Sequence, residues 1–97
     1  MADYWISFRV DGSGHPRRYD ALIAAMNENG TGFWDGPTSF VCMTSALTIE
    51  ALGAKLKAAI DPRYDLFVMR EIGKDDTRYA GLPGDGFTAF FPKAKKL

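Results

Sequence analysis

The sequence predicts one α+β domain, an antiparallel sheet with two helices on one of its faces. Three observations carry this. Four short apolar runs rich in β-formers are separated by Gly, Pro and Asp turns. Two longer segments place apolar residues at helical spacing. The order of these pieces is β-α-β-β-α-β, and the 97 residues suit a single domain over residues 1–97.

The first strand runs from Tyr4 to Val10. Tyr4, Ile6, Phe8 and Val10 fall on one face and Trp5, Ser7 and Arg9 on the other, which is the alternation of a half-buried strand. Trp5, opposite Ile6 and Phe8, implies a second sheet face that is not wholly wet, and an exposed aromatic face on a small domain suits a dimer contact. Residues 11–16 (Asp-Gly-Ser-Gly-His-Pro) read as a loop, and Pro16 suits the first position of a helix. Tyr19, Leu22, Ile23 and Met26 then give the i, i+3, i+4, i+7 spacing of a helix, closed by Asn29-Gly30 with Gly30 in a left-handed cap.

Gly32-Phe33-Trp34 and the run Phe40-Val41-Cys42-Met43 predict a hairpin around Asp35-Gly36-Pro37. The second helix follows at once. Leu47, Leu52, Leu56, Ala59 and Ile60 share a face, Thr48 is placed to cap it, and Glu50 and the later lysines suit the helix dipole. Asp61-Pro62 ends it. Gly53 inside this helix costs roughly 1 kcal/mol against Ala, which a close approach to the sheet would explain. Leu66 to Met69 predicts a further strand reaching toward Ile72. Phe87 to Phe91, ended by Pro92, predicts an extra C-terminal strand at a sheet edge, its own or a partner's. The whole order is the split βαβ, ferredoxin-like pattern.

Composition removes some function classes. Net charge is zero, with 46% hydrophobic and 25% charged residues, so no global field draws the chain to nucleic acid or membrane. Cys42 is the only cysteine, too few for an internal disulfide or a zinc site, and its strand position reads as a core thiol. No apolar run approaches the roughly 20 residues of a membrane helix. The first eleven residues have no apolar core behind a basic flank, so a cytoplasmic location is expected.

The first strand YWISFRV, the strand and helix TSFVCMTSALTIEALGAKLKAAI and the strand DLFVMREI resemble the small proteins of the Cas2-like group, closest to its SinR-like branch. The similarity runs from about Tyr4 to Ile72. It implies a ferredoxin-like homodimer with facing sheets and a C-terminal strand able to join the partner's sheet, for which Phe87 to Phe91 would serve. It also implies an association with CRISPR adaptation and, for some members, a metal-dependent nuclease in which an Asp ending the first strand of each subunit holds a shared ion. Here Arg9 stands where that carboxylate is expected, and Asp11 is the nearest acid. A guanidinium would repel a metal and its own symmetry mate, but it can bind phosphate.

Asp11 from two subunits is the candidate catalytic and metal-binding pair, holding Mg²⁺ or Mn²⁺ to orient a water. The plain reading is an Asp-Gly turn. Residues 12–18 (Gly-Ser-Gly-His-Pro-Arg-Arg) follow a strand and open a helix, where unpaired amides favour anions. Arg17 and Arg18 in the first turn oppose the helix dipole, and a nucleic-acid phosphate, or more simply Asp20 or Glu28, would relieve this. His15, the sole histidine, sits beside them but lacks a visible nucleophile partner. The loop is neither a Walker A nor a GxGxxG sequence. Asp75-Asp76 in a Gly-Lys turn reads as solvated. The candidate nucleic-acid or anion contacts are therefore Arg9, His15, Arg17 and Arg18. The function expected is a dimeric nucleic-acid or protein binding module without cofactor. The alternatives are an Asp11-dependent metal endonuclease, and a ferredoxin-like dimer that takes only a small ligand or a protein partner.

Overall fold

The computed structural model describes residues 1–11, 16–37, 39–73 and 77–97. His15, the rest of the 12–15 loop, Thr38 and the Asp75-Asp76 pair lie outside the described residues.

Four strands form one antiparallel sheet: β1 (Ala2–Arg9), β2 (Thr31–Trp34), β3 (Phe40–Ser45) and β4 (Leu66–Glu71). Their order across the sheet is β2-β3-β1-β4. The two long helices are α1 (Pro16–Asn29), between β1 and β2, and α2 (Ile49–Lys57), between β3 and β4. This is the α+β architecture expected, and its strand order is compatible with a ferredoxin-like fold.

The register explains which side chains are buried. Ile6 sits opposite Val41 on β3 and Met69 on β4, and Phe8 sits opposite Phe67. With Tyr4 and Met43 they form the helix-facing side of the sheet, which packs on Leu22 and Met26 of α1 and Leu52 and Leu56 of α2. All four helix residues were expected on the apolar faces. Tyr19, expected with them, is exposed, with its ring tilted against Phe8 at 6.0 Å between centroids. The Tyr4 hydroxyl donates to the Leu47 carbonyl at 2.8 Å, satisfying a phenol in the core.

α2 begins as read from the sequence. Thr48 is extended (φ −66°, ψ 164°) and its hydroxyl accepts from the Ala51 amide. It ends earlier, at Lys57 rather than Ile60. The last turn tightens instead: the Ala59 amide donates to Leu56 and the Ile60 amide to Lys57, three residues back in each case. Gly30 also differs from expectation, since its φ is not positive. The reason for glycine there is proximity to β3, because a Cβ would stand 2.5 Å from the Thr44 carbonyl oxygen.

The C-terminal strand expected at 87–91 is a short helix, α3 (Phe87–Phe90). Phe87, Phe90 and Phe91 stand at i, i+3 and i+4, a helical spacing that the β-forming composition obscured. The three rings are buried together with Trp34, Cys42 and Ile72, against the sheet face that the helices leave free. A two-strand parallel pair flanks them: β5 (Arg78–Tyr79) and β6 (Lys95–Lys96). The segment after β4 thus folds back over half of its own sheet. Trp5 and Phe40 pack at the margin of this second core, which answers the expectation that the face holding Trp5 is not wholly wet.

Candidate functional site

The arginine pair at the start of α1 is resolved by a residue far away in sequence. Arg18 Nε donates to Asp65 Oδ2 at 2.7 Å, in an ion pair whose side chains are 17% and 0% exposed. The Asp11 amide donates to Asp65 Oδ1 and the Asp61 amide to Asp65 Oδ2, each at 2.9 Å. A terminal nitrogen of Arg18 also reaches the Asp11 carbonyl at 3.4 Å. One carboxylate therefore joins the end of β1, the first turn of α1, the exit of α2 and the entry to β4. The hydrogen bond from Arg18 leads in holding the Asp65 carboxyl down to about 2, helped by the two amides and opposed by burial.

For Arg18 the protein partner is Asp65, not the Asp20 or Glu28 expected. Nothing local signalled it, because the partners are 47 residues apart. Arg17, the neighbour, is exposed. Asp11 is half-buried and its backbone is held on both sides by this knot. Among the described residues no group of three or more His, Cys, Asp or Glu side chains is placed to hold a metal ion. Next to the knot, Arg63 grips Asp61 at 2.9 Å and lies over the Tyr64 ring at 5.4 Å.

Arg9 lies elsewhere, exposed on the sheet face opposite the helices. In register it stands beside Leu66, and four pairs further along the strands, on the same face, Trp5 faces Arg70. Leu66 and Val68 on this face are 51% and 52% exposed. Sequence reasoning missed Arg70 and the two apolar residues as a surface. Their signal was the alternation of β4 itself, with Phe67 and Met69 inward and Leu66, Val68 and Arg70 outward.

Beyond Trp5 the same face becomes aromatic. Trp5 stacks with Phe40, 5.9 Å between centroids at 21°. Trp34 meets Phe40 edge-on at 6.2 Å and Phe87 at 5.0 Å. The Trp34 indole N–H donates to the Pro83 carbonyl at 2.7 Å, so the ring is fixed. Cys42 lies beneath, fully buried, its thiol pushed up to about 12 by burial and by the Asp3 charge.

No protein-family model matches the chain, and no curated protein matches it. Among the described residues no helix is long and apolar enough to cross a membrane.

Proposed function

We propose that this chain is a ferredoxin-like, Cas2-like homodimer of the SinR-like kind that binds nucleic acid without cutting it. The observation that carries the reading is the half-open sheet face, where exposed Leu66 and Val68 lie beside the cations Arg9 and Arg70. Exposed apolar strand residues on an edge strand suit a second copy of the chain. Arginines beside them suit phosphate, through planar, bidentate hydrogen bonding. Exposed Arg17 adds a further cation at the start of α1. Arg18 is left out of this set because its charge is matched by Asp65.

Two features favour binding over cleavage. The strand that would present a metal-binding carboxylate carries Arg9 at the expected place. Asp11, the substitute, is half-buried with its backbone tied to Asp65 and Arg18. The second feature supports a structural role for the Asp11 backbone at the end of β1.

The test is fluorescence anisotropy of labelled duplex DNA, single-stranded DNA and RNA across a salt series, with the Arg9→Ala/Arg70→Ala variant in parallel. Binding that weakens steeply with salt, and that is weaker with a shallower slope in the variant, is the expected result. Absence of binding to every probe at low salt overturns the reading. Mn²⁺-dependent cleavage that disappears in Asp11→Asn would overturn its non-catalytic part. Light scattering gives the oligomeric state, with Val68→Glu expected to yield monomer.

A further inference from the structure

We propose that the aromatic hollow at the far end of the open sheet face is a binding site for an unpaired base of a single-stranded nucleic acid. The proposal rests on the nucleic-acid reading above and adds its site and strand class. The hollow has a volume of about 310 Å³, and its walls include Trp34, Phe40, Tyr79, Phe87, Phe91 and Arg78. Phe87 and Phe91 pack at 5.2 Å and Tyr79 meets Phe87 at 5.0 Å, so the floor is a fixed ring cluster rather than loose side chains. Phe40 and Tyr79 are only half-buried and leave ring surface available at the mouth.

Charge decides the occupant. β5 and β6 pair in parallel with Arg78 beside Lys95 and Tyr79 beside Lys96. Arg78 itself lines the hollow, and the exposed Lys95 and Lys96 stand beside Arg78 and Tyr79 on the paired strand. The hydrogen bond from Arg78 goes to the neighbouring Thr77 carbonyl at 3.0 Å, and among the described residues no carboxylate pairs with Arg78, Lys95 or Lys96. A wall of aromatic rings bordered by the exposed cation Arg78, with Lys95 and Lys96 on the paired strand, suits a planar base on a phosphate backbone. The base stacks on the rings, and its flanking phosphates meet the cations. A duplex keeps its bases stacked inside and cannot fill the hollow. An aliphatic or proline-rich peptide would use the rings but leaves the cations without a role.

The hollow is formed by β2, β3 and the C-terminal segment, whereas Leu66 and Val68 are on β4 at the opposite edge. A second copy seated on β4 would leave it open.

Binding of a fluorescein-labelled oligothymidylate of about 15 nucleotides is measured against a blunt duplex, an abasic strand of equal length and a proline-rich peptide. Preference for the oligothymidylate over the abasic strand by about tenfold or more is expected, given the usual worth of one stacked base. Tyr79→Leu is expected to remove most of that preference while circular dichroism shows the fold retained and the melting temperature falls by no more than the few degrees one lost ring contact costs. Arg78→Ala/Lys95→Ala/Lys96→Ala is expected to weaken binding and make the salt slope shallower by about 2. Equal binding of abasic and thymidylate strands, or binding untouched by both variants, overturns the base site and leaves the nucleic-acid module standing. Binding of the peptide, with no oligonucleotide bound at low salt, overturns both.

Discussion

The Arg18 guanidinium and the Asp65 carboxylate meet at 2.7 Å across 47 residues of sequence, and the carboxylate accepts two backbone amides besides. The pair offsets the unfavourable placement of Arg18 in the first turn of α1 against the helix dipole. It also fixes where β1 ends relative to β4, which places Arg9 beside Leu66.

Asp65→Asn keeps the shape but removes the charge, leaving Arg18 half-buried without its ion-pair partner. The thermal midpoint should fall by at least about 10 °C, since breaking a buried pair from one side is far costlier than losing a surface pair. Arg17→Ala, at an exposed neighbour, should move it by less than about 2 °C. Differential scanning calorimetry of the two variants checks the contrast.

The pH dependence follows from the same carboxylate. Its folded value, about 2, lies below its ordinary 3.8, so between these values the unfolded chain binds more protons. The stabilisation is therefore complete above about pH 4 and is lost as pH falls toward 2. Asp61, lowered chiefly by its hydrogen bond from Arg63, acts with the same sign. Denaturant midpoints measured from pH 6 to pH 2 should fall less steeply below pH 4 in Asp65→Asn than in the parent protein.

Gly53 and Gly30 should respond oppositely to alanine. At Gly53 in α2 a Cβ would find only the Met69 sulfur, at 3.5 Å, an ordinary contact. Gly53→Ala should therefore stabilise by about 0.5–1 kcal/mol through helix propensity. At Gly30 a Cβ would press on the Thr44 carbonyl at 2.5 Å, and backbone cannot swing aside. Gly30→Ala should cost about 1–3 kcal/mol, as other overpacking changes do. Urea unfolding of both variants measures the two signs.

Cys42 should be inert in the folded state. Its side chain is fully buried and its thiol is pushed up to about 12, so almost no thiolate is present at pH 8. A chromogenic disulfide reagent should release less than a tenth of one equivalent from native protein within minutes. It should release a full equivalent in guanidinium. Rapid native reaction would show that α3 opens from the sheet.

The helix-facing core was legible because its signals are local. Alternation of Tyr4, Ile6 and Phe8 states which face of β1 is buried, and the spacing of Leu52 and Leu56 states which face of α2 meets it. The Thr48 cap was legible for the same reason, the bond spanning only three residues. Phe87 to Phe91 was misread because bulky aromatic residues favour strands, while the i, i+3, i+4 placement of the rings answered to a core that the run itself does not reveal. Gly30 was misread because sequence shows a glycine without showing whether handedness or crowding requires it.

The sequence by itself determined the β-α-β-β-α-β order as far as β4, the two helix faces and the absence of any cysteine pair or long apolar span, all properties of neighbours within a few residues. Only the tertiary structure decided that Asp65 answers Arg18, that Arg9 lies beside Leu66 on an open face, and that Trp34, Phe40, Tyr79 and Phe87 enclose one hollow rimmed by Arg78. Those relations join residues tens of positions apart. They are set by strand order and by the fold-back of the C-terminal segment, neither of which leaves a periodic trace along the chain.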